Sequence, residues 1–400
     1  MPSWPNSGLL GTLPPISWVA LFWICSFVVL YTYAGYPLML WCVTRFRKER
    51  LLPPSSAPSL TLLIAAHNEA SRIADKLNEC LNLNYPRSDL QILVVSDGST
   101  DETVSIVRSF EPLGVELLVL EQQCGKTAAQ NAAVLQAKGD IVVFSDATTE
   151  YDRDALRYLA GAFADERIGA VSGRYSYINA KRVDGTGEGA KAYAGYDNRL
   201  RRMQSAAGSI TGCCGCIYAV RRALYVPLEP HIISDLVEPL QILLRGSMVK
   251  FEPRAVAREI ISHGNGREFS MRVRVIARAL TGLNSVRSLL LPWKHPWIAL
   301  QIHSHKILRY ALPLFLLGIL VASAMLRDRP LFRMVFLGQL LLYGVAAISL
   351  IAPATRRMKL FALPLYFCTV NAAALCGAIQ FLRGTRYVVW KTQREPTHAS

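Results

Sequence analysis

Between residues 59 and 173 the chain alternates short apolar runs with amphipathic stretches, and longer uncharged runs lie towards its two ends. SLTLLIAA (59–66), LQILVVS (90–96), VELLVLE (115–121), DIVVFS (140–145) and IGAVSG (168–173) are the length of buried strands. Helical spacing fills Glu69–Asn82, Thr100–Phe110, Lys126–Gln136 and Arg153–Ala164. Strand-helix alternation of this kind predicts a parallel sheet covered on both faces. Ser99 followed by Glu102 has the spacing of a capping box, which predicts a helix starting just after Asp97-Gly98. Beyond Gly173 the alternation loosens. An amphipathic helix over Tyr193–Gln204 is followed by the glycine-rich GSITGCCGCIYAVRR, which passes into a strand. Then come a helix just after Asp235, a strand at MVKFEP and a helix over Ser270–Ser285.

The ends have a different pattern. Residues 1–44 contain no Lys, Arg, Asp or Glu. Ile16–Val43 exceeds the ~20 apolar residues that span a bilayer. It lacks the basic n-region of a secretory signal, so a retained anchor is expected. Arg45, Arg47, Lys48 and Arg50 follow at once and place the middle of the chain in the cytoplasm. Tyr310–Leu326, Met334–Thr355 and Leu360–Leu382 read as three further spans. The topology contains a conflict. Three further crossings put the C-terminus outside, yet Arg383, Arg386, Lys391 and Arg394 favour the inside. Pro364, Asn371 and Gln380 mark the last run as the candidate for an incomplete crossing.

The expected organisation is an anchor (1–50), a cytoplasmic α/β domain (51–286), an interfacial segment rich in Trp, Pro and His (287–309), membrane helices (310–382) and a basic tail (383–400). The net charge of +15 fits loops meeting anionic lipid, or a polyanionic substrate. No Lys/Arg-rich tail or aromatic-basic alternation points to nucleic acid. Cys213-Cys214-Gly215-Cys216 lacks the second Cys or His pair of a four-ligand zinc site, and small residues lining a tight turn are the expectation there. No GxGxxG or GxxxxGK[ST] is present, so neither a standard dinucleotide site nor a P-loop is expected.

The candidate chemistry sits at strand ends. Asp97 and Asp146 close apolar runs, and His67-Asn68-Glu69 closes a third. In an open α/β sheet the carboxyl edge is where ligands bind, so these clusters imply one site. Taken alone, Asp97 and Asp235 also fit plain turn or N-cap aspartates. Arg272, Arg274 and Arg278 also fit a solvated stripe.

AAHNEA, VVSDGSTDET, GKTAAQNAA, FSDATT, GCIYAVRR and ISDLVEPL, in that order, resemble the membrane-bound family 2 glycosyltransferases. These include the cellulose, chitin, hyaluronan and poly-N-acetylglucosamine synthases. The resemblance runs over about residues 30–390, from YTYAGYPL to beyond SHKILRY. It implies a GT-A fold, that is, a Rossmann-like α/β nucleotide-diphospho-sugar transferase domain, with one N-terminal and about three C-terminal transmembrane helices. It implies donor-binding roles for Ala66, Asn68, Glu69, Asp97, Lys126, Asp146 and Arg274. It makes Asp146 the ligand of Mg2+ or Mn2+ and Asp235 the catalytic base. The implied reaction is inverting transfer from a UDP-sugar, UDP-GlcNAc or similar, to a growing polysaccharide or lipid-linked glycan at the cytoplasmic membrane. The implied partners are the UDP-sugar, that acceptor, membrane lipids and export or assembly subunits. Two positions depart from the family pattern. Thr148 stands where the metal motif has its second aspartate. MRVRV keeps Arg274 but has Met271 and Val275 in place of Gln and Trp, which weighs against processive extension. A non-processive transferase to a polyprenyl-phosphate or lipid acceptor stays open. So does a catalytically silent nucleotide-sugar-binding membrane subunit.

Overall fold

The computed structural model describes residues 15–47, 57–178, 186–260 and 265–389. Lys48, Arg50, the first part of the linker and the tail beyond residue 389 lie outside them. The chain enters through α1 (Pro15–Leu30), a π-helical turn at Tyr31–Gly35 and α2 (Tyr36–Thr44). The α/β part then runs β1 (Leu60–Ala66), α3 (Ile73–Leu81), β2 (Leu90–Asp97), α4 (Thr103–Arg108), β3 (Val115–Leu120), α5 (Lys126–Val134) and β4 (Ile141–Asp146). It continues with β5 (Thr149–Tyr151), α6 (Ala155–Ala162), β6 (Ile168–Ile178), α7 (Thr186–Ala207), β7 (Ile217–Arg221), α8 (Ser234–Leu244), β8 (Met248–Ile260) and α9 (Asn265–Ser285). The chain closes with α10 (Pro296–Ile302), a second π-helical turn at His303–Ile307, α11 (Leu308–Met325), α12 (Pro330–Ile351) and α13 (Lys359–Leu382).

One eight-stranded sheet has the order β3-β2-β1-β4-β7-β6-β8-β5. The β3-β2-β1-β4 half is parallel, as the alternation predicts. Its strands alternate faces, so Leu62 and Ile64 of β1 pack towards α3 and α6, while Leu63 and Ala65 pack towards α5 and α8. The other half is mixed. Strand β7 is antiparallel to β4 and β6, and β5 is antiparallel to β8. This antiparallel component was not foreseen, because sequential pattern does not reveal pairing between distant strands. Strand β8 also outruns its expected end. Pro253 reads as a terminator, but a register shift against β6 lets the strand continue to Ile260.

The capping box at Ser99 does not form. The Ser99 hydroxyl instead accepts from the Asn68 backbone N–H at 3.1 Å, and α4 starts later, with Asp101 Oδ1 accepting from the Thr103 N–H at 3.1 Å. Contact with the neighbouring strand-end loop outcompetes the local cap.

Four helices are long and apolar enough to cross a membrane: Ile16–Thr44, Pro296–Met325, Pro330–Ile351 and Lys359–Leu382. One is N-terminal and three are C-terminal, and together they mark a membrane protein. The second starts at Pro296, inside the segment read from sequence as interfacial. His305, Lys306 and Arg309 lower its hydropathy there, but they face the α/β domain rather than lipid.

Candidate active site

The sheet order reverses direction between β1 and β4, and ligands bind in the crevice at such a switch point. Register places Ala65 opposite Asp146 and Ala66 opposite Ser96, so Ala66, Asp97 and Asp146 end their strands side by side. The loops beyond are tied together. Asn68 adopts a left-handed φ of 56°, which asparagine tolerates better than most residues. Its side-chain oxygen accepts from the backbone N–H groups of Thr100 and Asp101 at 2.8 and 3.3 Å. The Glu69 N–H donates to Thr103 Oγ1 at 2.8 Å. Asp97 is fully buried, and its carboxylate accepts from the N–H groups of Cys124 and Gly125 at 2.7 and 2.9 Å. Asp97 therefore fixes the loop that leads into Lys126 at the start of α5.

A cavity of about 630 Å3 opens beside this edge, within the size range of small-molecule sites. Lys126, Asp146 and Asp235 line it together, although they come from α5, β4 and α8. Lys126 forms an ion pair with Asp146. Burial works against the lysine's charge, but Asp146 outweighs it and holds the ammonium above its usual range. Asp235 lies in the first turn of α8, where the helix dipole favours a carboxylate. Burial lifts its carboxyl above the usual range, while Lys126, Lys306, Arg201 and Arg278 pull it back. A Cβ at Gly215 would come 2.6 Å from Asp235 Oδ2, so a larger residue there would displace the carboxylate. Arg278 of α9 ties the start of α5 to the segment that leads into α8. Its guanidinium donates to Ile232 O at 2.7 Å, just before α8, and to Thr127 Oγ1 at 3.2 Å, in the first turn of α5.

The remaining sequence candidates lie elsewhere. Ala66, Asn68, Glu69 and Asp97 form the adjoining edge and are not among the cavity walls. Arg274 is not a wall residue either; Arg272 is. Residues two positions apart on a helix lie ~200° apart, so these arginines cannot share a face. Arg272 pairs with Glu268 at 2.6 Å and donates to the Tyr366 hydroxyl at 2.7 Å.

Sequence reasoning missed Glu259. It lines the cavity from the end of β8, opposite Thr149, whose hydroxyl donates to the Asp146 carbonyl at 3.0 Å. Burial and the Asp146 charge push its carboxyl up to about 7. No sequence signal marked it, since the strand appeared to stop at Pro253. Lys306 was also missed. It reaches the cavity from the π-helical turn of the second apolar helix, and such turns are frequent at functional sites.

Glu238, one turn beyond Asp235, is buried, with only one carboxylate oxygen satisfied, by the Tyr218 hydroxyl at 3.0 Å. Burial pushes its carboxyl up to about 8 from the usual 4.5. The folded state therefore keeps a proton that the unfolded chain releases, and stability from this group is lost as pH rises from about 4.5 to about 8. Glu238→Gln is expected to raise the Tm at pH 8 and to give no gain below pH 4.5. Thermal unfolding of the purified protein across that range measures the difference.

The mixed sheet, with Asp146 and Asp235 brought to a crevice at its carboxyl edge, is that of a glycosyltransferase domain of the GT-A type. Residues 61–226 match the glycosyl transferase family 2 model, and the chain carries a domain of that family. Poly-beta-1,6-N-acetyl-D-glucosamine synthases of Staphylococcus aureus and Staphylococcus epidermidis are each 28% identical over 221 residues, covering 54% of this chain and 53% of the relative. The match thus spans about half the length of these curated relatives. A mannosyltransferase from Pyrobaculum calidifontis, solved in complex with GDP-Man and Mn2+, superposes with a TM-score of 0.68 over 92% of this chain and 100% of its own. At 24% identity, that likeness shows a common fold.

Proposed function

We propose that the protein is an inverting, metal-assisted glycosyltransferase of the cytoplasmic membrane. It moves a sugar from a UDP-sugar, UDP-GlcNAc or similar, to a growing polysaccharide or lipid-linked glycan. The supporting observation is that Lys126, Asp146 and Asp235 converge on one cavity whose walls also include residues of the apolar helices. Ala66, Asn68, Glu69 and the loop held by Asp97 would form the nucleotide edge, and Arg45 and Arg47 after the first apolar helix support a cytoplasmic domain.

The residues present fit a divalent cation. Among the described residues no group of three His, Cys, Asp or Glu is gathered, but Asp146 and Glu259 line the same wall. A hard cation such as Mg2+ is commonly held by one or two carboxylates plus substrate phosphates. In this reading Glu259 replaces the carboxylate missing at Thr148. The cation would neutralise charge developing on the leaving diphosphate. Lys126 would add a fixed positive charge there. Asp235 would take the acceptor hydroxyl's proton as its oxygen bonds to the anomeric carbon, and the electron pair of the breaking bond leaves on the diphosphate. A single displacement inverts the anomeric centre.

Single transfer to a lipid-linked acceptor is the second reading. Val275 stands where processive synthases carry Trp, and Leu363, Phe367 and Val370 of α13 give the cavity an apolar wall. Membranes containing the protein, incubated with labelled UDP-sugars and Mg2+ or Mn2+, should yield labelled product. Polymer supports the first reading, and one sugar on an extractable lipid the second. UDP binding without turnover on any sugar would leave a silent binding subunit.

A further inference from the structure

We propose that Cys214 and Cys216 are a covalent modification site: hydrogen peroxide entering the cavity oxidises the pair to a disulfide, which displaces the Gly215 turn against Asp235 and Lys126 and stops their chemistry until a thiol reduces it. The thiol chemistry does not depend on the reading of the protein as a glycosyltransferase. Only the loss of sugar transfer rests on that reading.

Cys213-Cys214-Gly215-Cys216 lies between α7 and β7, and the proposed transfer reaction uses none of its three thiols. Among the described residues no group of three His, Cys, Asp or Glu is gathered, so these cysteines are not assembled into a metal site. Two of them are assembled into a pair. The Ile217 N–H donates to Cys214 O at 3.0 Å and closes a turn over Gly215 and Cys216. That turn brings Cys214 Sγ to 3.2 Å from Cys216 Sγ. Both residues are only 8% exposed, yet both line the cavity with Lys126, Asp146 and Asp235, so a small oxidant reaches them through it. The ends of the turn are pinned. The Cys214 N–H donates to Ser172 Oγ at 2.9 Å, and the Tyr151 hydroxyl donates to Cys216 O at 2.8 Å. The hydrogen bond to Cys214, and then burial, hold the Cys216 thiol well above its ordinary range. The resting pair is therefore a dithiol, and because the thiolate is the nucleophile it stays reduced until peroxide persists.

The reaction balances within the cavity. One thiol ionises, and its sulfur attacks a peroxide oxygen. The O–O bond breaks, the departing oxygen takes up that proton and leaves as water, and the cysteine becomes a sulfenic acid. The second sulfur attacks the sulfenic sulfur, and the hydroxyl leaves with the second thiol's proton as another water. Two thiols are oxidised and one peroxide is reduced. A small thiol reverses the change by exchange at the new disulfide.

The sulfurs need to close by only about 1 Å to reach the ~2.0 Å bond. The backbone between them has little room on the side of the site. A Cβ on Gly215 would come 2.6 Å from Asp235 Oδ2, and the Gly215 carbonyl accepts from Lys126 Nζ at 3.4 Å. The Cys213 N–H donates to Asp235 O at 2.8 Å. Drawing residues 214 and 216 together therefore moves the turn against the candidate base and the lysine at once. Misplacement of reacting groups by about 1 Å costs ~10²-fold in rate.

The test uses the full chain, reduced, then treated with hydrogen peroxide, alkylated, digested and weighed. The peptide carrying residues 213–216 is expected to lose two hydrogens, to leave two of its three sulfurs unalkylated, and to regain both hydrogens with dithiothreitol. Cys213→Ala should still form the disulfide, and Cys214→Ala and Cys216→Ala should not. Transfer of labelled sugar, each protein compared with itself before and after peroxide, should fall ~10²-fold with the disulfide and recover with dithiothreitol. Cys124→Ser, which removes the thiol beside Asp97, should keep that response. The proposal is overturned if no disulfide forms within the peptide, if the link needs Cys213, if Cys124→Ser abolishes the response, or if the disulfide forms and transfer is unchanged. A preparation that transfers no sugar even when fully reduced counts against the proposed function, and the mass change still decides the disulfide.

Discussion

Asp235→Asn is expected to reduce sugar transfer by ~10²–10⁴-fold, the usual loss for a general base, while UDP still binds. Asparagine keeps the size and the helix-start position but cannot take the acceptor's proton. The side chain lines the cavity beside Gly215, whereas Ala66, Asn68, Glu69 and Asp97 do not line it, so nucleotide contacts are expected to survive the change. Burial raises the wild-type carboxyl above the ordinary aspartate range. The acid limb of kcat/KM against pH is therefore expected above that range, with activity gained as the carboxyl ionises. Product formation and UDP affinity, measured on the same preparation, separate the two effects. Near wild-type turnover in the variant removes Asp235 from the mechanism.

Asp146→Ala is expected to lower transfer by ~10²–10³-fold, on the scale of losing one electrostatic stabiliser of the leaving group. The variant should also lose the metal-dependent part of UDP binding. Glu259→Gln should weaken Mn2+ binding in the presence of UDP, read by the Mn2+ paramagnetic signal without any turnover. Thr148→Asp in the Glu259→Gln background should recover part of it, by restoring a second carboxylate on the Asp146 loop. If UDP binding to the unmodified protein ignores EDTA, or if Glu259→Gln holds Mn2+ as well as the parent, the cation does not sit on this wall.

The strand-end carboxylates were legible in the sequence because each follows an apolar run whose length and composition identify it without a partner strand. The same pattern gave the parallel half of the sheet and the four long apolar helices. Glu259 was not legible, since a proline inside its strand looks like an end until a distant strand accommodates the bulge. The division of labour between Arg272 and Arg274 was not legible either. Their spacing puts them on different faces of α9, but only packing against Tyr366 and Tyr193 shows which face meets the cavity.

By itself the sequence determined what local pattern encodes: a strand-helix domain tethered by apolar helices, with Asp97, Asp146 and Asp235 placed at element ends by their neighbours in the chain. Only the tertiary structure decided that Asp146, Asp235 and Lys126 share one cavity while the Asp97 carboxylate accepts from the Cys124 and Gly125 N–H groups. It alone set α13 against the arginine-bearing α9. The physical reason is the same in each case. Periodicity reports which face of an element is apolar, but which surface covers that face is a long-range contact, and hydropathy does not distinguish burial in protein from burial in lipid.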